Sequence, residues 1–515
     1  MNQNNISAAE LFLRVRELLI LPELEPKTRN KMMHDTLILC CHEGVKDTKQ
    51  AFGNLFSQVD YLCKAHGIKV ADKIAIQTMR RHSNSQEPLS SEDLKYDARA
   101  LAIFISAVFG VDVPHELNVL IPHTNRPYQK GLEINNRRIR CIVKNWDSDF
   151  IRVDIDQDAD EEEYLVQLKD EENHIDHTYL WDILKEGMQL NLLDCQVKQP
   201  VITPRLIVVE PDYLVDISSI ATCFTAFGHH PLLYLLNQMK PRANTQATLL
   251  GNFAGAALDD IINSHGKYQV NETVKSNFRE KALEFCTCPW FDAKKFYTDA
   301  SLQAFNLQQV VDILFPHTAS QAKMSAFRGE SLYDRKKAIL EPSFVCEALG
   351  IQGRVDLMTT DCKLLVEQKS GRNMNIETHQ VDPGYHSYQL EPHYVQLLLY
   401  YGVLQHNFKL SNDRVNIRLL YSKYQPQDGL MVVAYYQKLF KEAIEYRNQL
   451  VAASFEIAKE GFEHTLNEFT PEVLNVAGTQ DFFYNKYLKP QIEAITNPLH
   501  DLSPLEEAYF CRMMT

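Results

Sequence analysis

The chain has 515 residues, 45% apolar and 23% charged, so it is long enough for more than one globular domain and is neither disordered nor fibrous in composition. Its formal net charge of −14 excludes a surface coated for nucleic acid, though not a narrow local site for one. Eleven cysteines, an odd number at scattered positions, fit reduced thiols and not a disulfide framework.

No apolar run reaches the roughly 18–20 uncharged residues of a membrane span. The N-terminus, MNQNNISAAELFLRVRELLI, is polar and then amphipathic, unlike a signal peptide. A soluble, cytoplasmic protein with no membrane partner is expected.

Residues 1–128 read as a helical domain. In ISAAELFLRVRELLI, Ser7 stands at an N-cap position before apolar residues at helical spacing, and LKYDARALAIFISAVFG repeats the pattern up to Gly110. Over 129–204 the period becomes two. EINNRRIRCIVKNW, FIRVDID and EYLVQLKD read as strands, TYLWDILKE as a short helix, and MQLNLLDCQV and RLIVVEPDYLVD as two more strands. Three strands, a helix and two strands is the order of an oligonucleotide-binding barrel. The acidic run DIDQDADEEEY (Asp154 to Tyr164) begins D-x-D-x-D. It has Ala159 where a calcium loop needs glycine and Leu165 where it needs glutamate, so a solvated hairpin loop is expected.

Residues 205–498 mix helices and strands. TLLGNFAGAALDDIIN, HYVQLLLYYGVLQ and LFKEAIEYRNQLVAASFEIA read as helices. LEPSFVCEALGIQGRVDLM, CKLLVEQKSG and VNIRLLYSKY read as strands. Cys286 and Cys288 form a CxC pair, with no second pair at zinc or iron–sulfur spacing. The last segment, 499–515, reads as a helix that begins with no cap or stop signal, so the chain is expected to be the front of a longer protein.

Within CKLLVEQKSG, Glu367 and Lys369 share one strand face with Leu365, while Leu364, Val366 and Gln368 take the other. A turn at Thr359–Cys362 pairs Met358 with Lys363 and Asp356 with Leu365, which brings Asp356 to the face of Glu367 and Lys369. The grouping depends on that register, because a one-residue slip separates the three. Two carboxylates suit Mg²⁺ or Mn²⁺, and a lysine beside them can position a water or offset charge on a phosphate. Glu and Lys two apart are common on solvated strands, so E-x-K alone is a weak signal. D-x10-E-x-K, with Gly353 ahead and Ser370–Gly371 behind, is more specific. Gln396 and Tyr400 lie one turn apart on a helix that is otherwise apolar.

Asp356, Glu367-Gln368-Lys369 and Gln396-x3-Tyr400 together resemble the PD-(D/E)XK nucleases of the RecB-like branch, over roughly residues 205–490. That branch includes the nuclease part of the flap nuclease–helicases and CRISPR-adaptation exonucleases. The resemblance implies a multi-domain α/β chain. A helical N-terminal domain and an OB-like β-barrel would be followed by a nuclease domain with a central mixed sheet flanked by helices. It implies that Asp356, Glu367 and the main-chain carbonyl of Gln368 hold Mg²⁺ or Mn²⁺, and that Lys369 positions the attacking water. Gln396 and Tyr400 would contact the DNA strand or brace the site, and Glu341 falls where such enzymes often have a further acid. A superfamily 1 helicase would follow in the same chain.

Two departures stand out. The family's G-x-x-x-H helix reads GNFAG here, with Gly255 at the histidine's place. Asp259, His229, His230 or His265 are the substitutes to consider. Many members also carry an iron–sulfur cluster. Cys223 fits its upstream cysteine, but DFFYNKYLKPQI occupies the downstream region, so no cluster is expected. The expected function is a metal-dependent DNA nuclease acting on single-stranded or flap DNA, in replication, repair or anti-phage defence. The alternative is a nuclease-like module that no longer cuts and binds DNA or docks for a helicase, which Gly255 favours. A protein whose helical N-terminal region only binds a partner has no specific residue in its support.

Overall fold

The computed structural model describes residues 6–21, 24–48, 52, 54–84, 88–126, 137–155, 163–225, 228–239, 244–264, 268–327, 331–381, 387–410, 415–474, 482 and 484–515. The chain is a mixed α/β protein that divides into two compact units, residues 1–212 and 213–515. Among the described residues, no helix is long and apolar enough to cross a membrane.

The first unit opens with helices α1 (Ala8–Ile20), α2 (Pro26–Val45), α3 (Leu55–Ala65), α4 (Val70–Asn84), α5 (Ser91–Phe109) and α6 (His115–Asn118). Ser7 caps α1 by accepting the Glu10 N–H. Ser90 and Asp93 form a capping box on α5, and Gly110 at φ 64° ends that helix in a conformation glycine adopts without penalty. The apolar stripes, among them Leu11, Val15, Leu37, Leu62, Leu101 and Phe104, meet in one core.

Strands β1 (Arg138–Trp146), β2 (Phe150–Ile155), β3 (Tyr164–Gln167), β4 (Lys169–Asp170), β5 (Ile175–Asp176), β6 (Gln189–Leu193), β7 (Gln196–Lys198), β8 (Val201–Thr203) and β9 (Leu206–Val209) follow, with a 3-10 turn at Thr178–Asp182. Seven of them form a sheet in the order β7-β8-β3-β2-β1-β6-β9, with β3 and β8 parallel. Only Asp194 and Cys195 separate β6 from β7. One bent strand therefore pairs with β1 along its first half and with β8 along its second, so the sheet curls back on itself. Alternate residues, including Ile139, Cys141, Val143, Ile151, Val153, Leu190 and Leu192, fill the inside.

Two strands expected to be continuous are broken. Asp194, at φ 49°, divides MQLNLLDCQV, and Glu210, at φ 40°, ends β9 before the second unit begins. Of the acidic run, residues 156–162 lie outside the described residues. The strands on either side, β2 and β3, pair antiparallel.

The second unit begins with β10 (Val215–Asp216), α7 (Ile217–Ala221), β11 (Phe224–Thr225), β12 (Gly228–His229), α8 (Leu232–Met239), α9 (Gln246–Asn263), α10 (Val270–Glu280), α11 (Ala282–Cys286), α12 (Ala293–Leu314) and α13 (Ala319–Phe327). It continues with β13 (Ala338–Leu340), β14 (Ser343–Cys346), β15 (Ile351–Arg354), β16 (Leu357–Thr359), β17 (Leu364–Lys369), α14 (Met374–Thr378), α15 (Glu391–Phe408), β18 (Asn416–Tyr421), α16 (Pro426–Gly429) and β19 (Leu430–Val432). It ends with α17 (Gln437–Glu460), α18 (Glu463–Glu468), α19 (Pro471–Leu474), α20 (Lys489–His500) and α21 (Pro504–Met514).

The main sheet has the order β13-β16-β17-β18-β19, and only the β17–β18 pair in it is parallel. Leu364 and Val366 of β17 pack with Leu357 and Leu420 against Phe253, Ala257 and Leu258 of α9 and Leu307 and Val310 of α12. The final helix does have a cap, contrary to the sequence reading. The Ser503 N–H and hydroxyl both donate to Glu506, at 2.9 and 2.6 Å, and Pro504 opens the helix. The signal was S-P-L-E, the spacing of a capping box.

Candidate active site

β16 pairs with β17 as Leu357↔Val366 and Met358↔Leu365, two residues away from the expected register. Thr359 stays within β16, and its Oγ1 accepts the N–H groups of Lys363 and Leu364 at 3.2 and 3.1 Å. With Cys362 at φ 54°, the turn therefore closes over Thr360–Lys363. A shift of two leaves every side chain on its expected face, because the strand period is two. Asp356 consequently lies beside Glu367 and not beside Leu365.

Asp356 occupies the bend between β15 and β16. The Gln368 N–H donates to its Oδ2 at 2.6 Å. A strand residue points its N–H and C=O to the same edge, so the Gln368 carbonyl also faces the Asp356 side. The Gln368 side chain turns to the opposite face. There its Nε2 donates to Ser422 Oγ at 2.7 Å, and that hydroxyl donates to Gln303 Oε1 at 2.6 Å.

The Lys369 ammonium donates to Glu367 Oε1 at 2.7 Å and to Gln396 Oε1 at 2.9 Å. Glu367 is only 2% exposed, and its Oε2 is buried with no hydrogen-bond partner among the described residues. Burial, with the Asp356 charge, pushes its carboxyl up to about 8 against the pull of Lys369. Burial raises Asp356 as well, opposed by the Gln368 N–H and Lys369.

Tyr400 is 3% exposed, and its hydroxyl donates to the Arg354 carbonyl at 2.6 Å. Gln396 bonds this hydroxyl too. Gly353 makes room for the ring, since a Cβ there would stand 2.9 Å from Tyr400 Cε1. Glu341, at φ 48°, donates its N–H to the Asp356 carbonyl at 2.9 Å, and its carboxylate pairs with Arg354 at 2.9 Å.

On α9, the position of Gly255 is open, with nothing within 4 Å of where a Cβ would stand. One turn on, burial and then the charges of Glu341 and Asp356 raise the Asp259 carboxyl to about 7. His229 is committed elsewhere: Nδ1 meets Glu442 at 2.6 Å and Nε2 meets Glu391 at 2.8 Å. Burial opposes its charge, but the two carboxylates prevail and raise it to about 9. His230 Nδ1 accepts the Leu232 N–H, and burial lowers its pKa. His265 lies outside the described residues. Cys223 is a buried thiol pushed up to about 12.

The structure thus gathers Asp356, Glu367, Gln368, Lys369, Gln396 and Tyr400, with Glu341 and Asp259 at the rim. The sequence reading missed Arg354, the Ser422–Gln303 pair and His393. His393 Nδ1 lies 3.0 Å from the Tyr421 hydroxyl, and burial together with Lys369 lowers its pKa to about 4, so it is neutral. The signal for it was H-x2-Q-x3-Y, which puts His393, Gln396 and Tyr400 on one helix face. Arg354 and Ser422 carried no sequence signal.

Two carboxylates and a main-chain carbonyl are hard oxygen donors of the kind that hold Mg²⁺ or Mn²⁺. The unpartnered Glu367 Oε2 is an open acceptor among them. Among the described residues, no three His, Cys, Asp or Glu side chains are grouped to hold a metal ion. No known family model matches this chain, and no curated protein matches it either.

Proposed function

We propose that the chain is a metal-dependent deoxyribonuclease of the RecB-like PD-(D/E)XK kind, acting on single-stranded or flap DNA. On this reading the second unit is the nuclease, and the curled sheet of the first is a barrel of the oligonucleotide-binding type. The observation that carries the reading is the Lys369 ammonium, fixed between Glu367 and Gln396 beside Asp356 and a buried carboxylate oxygen that has no partner among the described residues.

Asp356, Glu367 and the Gln368 carbonyl would hold Mg²⁺ or Mn²⁺. The bound ion supplies Lewis acidity toward the phosphate and a more acidic water. Lys369 holds the attacking water in place and sets positive charge beside the phosphate. Gln396 and Tyr400 brace the site, because the Tyr400 hydroxyl is spent on Arg354 and Gln396 fixes Lys369.

The test is Mn²⁺-dependent cleavage of end-labelled single-stranded and flap DNA by the wild type and by Lys369→Ala. Cleavage that falls at least about 100-fold in the variant supports the assignment. Equal rates would remove Lys369 from the site. Gly255, with its open surroundings, favours a second reading, a nuclease-like module that binds DNA and docks for a helicase. DNA binding without cleavage by either protein selects it.

A further inference from the structure

The parallel strands β17 and β18 end level, with Lys369 opposite Tyr421. Ligands of α/β sheets bind outside the carboxyl ends of parallel strands. The chain leaving each strand here carries an exposed cation, Arg372 after β17 and Lys423 after β18, with Tyr424 next to it. All three converge on one carboxylate. Arg372 donates to Glu377 Oε2 from Nε and from a terminal nitrogen. The Tyr424 hydroxyl donates to Glu377 Oε1 at 2.9 Å, and Lys423 Nζ stands 3.6 Å from the same oxygen. The Asn373 N–H donates to the Tyr424 hydroxyl at 2.8 Å and so fixes it.

Ion pairs on a surface are common and contribute little. This one differs in its donors and in its place. A forked guanidinium, an ammonium and a phenol aimed at one anionic group are the donors that recognise a phosphate. Arg372 lies three residues beyond Lys369, and Lys423 two beyond Tyr421, the pairing partner of Lys369, so both cations leave the same end of the sheet as Lys369. We infer that Arg372, Lys423 and Tyr424 form a phosphodiester-binding subsite for the strand that passes Lys369, and that Glu377 fills it in the unliganded chain. The inference rests on the nuclease reading for its ligand, but not on cleavage.

The subsite predicts opposite signs for neighbouring substitutions. The probe is a fluorescein-labelled single-stranded oligothymidylate, titrated at low salt and over a salt series with no divalent ion, so that nothing is cut. Arg372→Gln and Lys423→Gln should each weaken binding and lower the salt slope by about 0.7, the loss of one phosphate contact. Glu377→Gln should tighten binding about fivefold, because a competing anion is gone. A thermal melt of each variant shows that the fold is kept. Unchanged or weaker binding by Glu377→Gln would overturn the inference, as would unchanged salt slopes for the two cation variants, or no binding by both wild type and Glu377→Gln. Binding with the expected signs but no Mn²⁺-dependent cleavage would keep the subsite and remove the nuclease.

Discussion

The two faces of β17 are built on opposite terms. On one, Gln368, Ser422 and Gln303 form a relay in which donor meets acceptor at 2.6–2.7 Å. On the other, a buried glutamate beside Asp356 keeps one oxygen without a partner among the described residues, and its carboxyl is pushed up to about 8. Six residues of backbone carry both. The satisfied face contributes to stability, since buried polar groups cost little once paired. The unsatisfied face costs stability, because a buried carboxylate oxygen is left without a bond. Each face carries polar groups, Gln368 beside Leu364 and Val366 on the first and Glu367 and Lys369 beside Leu365 on the second. What differs is whether the sheet's neighbours complete the bonding.

The contrast can be broken most sharply at Lys369, where alanine should remove cleavage and leave the relay intact. Glu367→Gln should come next. The folded glutamate holds its proton more tightly than the unfolded one, so its cost to stability is absent below about pH 4.5 and grows as pH rises to about 8. The glutamine variant should therefore be more stable than wild type at pH 8, by about 4 kcal/mol, and equal to it at pH 4. A chemical denaturation series at the two pH values reads this, and no gain at pH 8 would mean the face is not strained. Ser422→Ala should do the reverse. It leaves Gln368 Nε2 and Gln303 Oε1 without their partner, costs about 2 kcal/mol and leaves Mn²⁺ binding by calorimetry unchanged. Loss of metal binding in that variant would show that the faces are not independent.

Smaller effects are expected further out. His229 is raised to about 9, so its contribution is full below its unfolded value near 6.5 and is lost as pH rises through 9. Between pH 6 and pH 9.5 the wild type should therefore lose about 2 kcal/mol more than His229→Gln, read by melting both proteins at the two pH values. Gly353→Ala presses on Tyr400 and should cost about 1–2 kcal/mol, with a drop in cleavage larger than the drop in stability.

Much of this was legible in the sequence wherever periodicity or a cap was local. Ser7, Gly110 and the alternation of β1 to β3 are of that kind, and so is the face shared by Glu367 and Lys369. The register was read two residues out because Thr359 bonds across its own turn, a choice the pattern of side chains does not record. Parity protected the conclusion from that error. The breaks at Asp194 and Glu210 were invisible because neither residue is a glycine, although each adopts a positive φ. Arg354, Ser422 and Gln303 were illegible for another reason, since their partners are set by pairings distant in the chain. The cap of α21 was legible and was missed.

The parallel pairing of β17 with β18 also bears on how the protein comes to exist. Antiparallel β16 and β17 can zip from their turn, whereas β18 must return through the whole segment 370–415, with α14 and α15 inside it. Closing that crossover is slow relative to local structure. Lys369 reaches Gln396, and the ends of β17 and β18 come level, only when it is done. During refolding, helical signal should therefore return before the Lys369–Gln396 contact forms. A newly made chain would pass through a stage that is compact but in which Asp356, Glu367, Lys369 and Gln396 are not yet assembled.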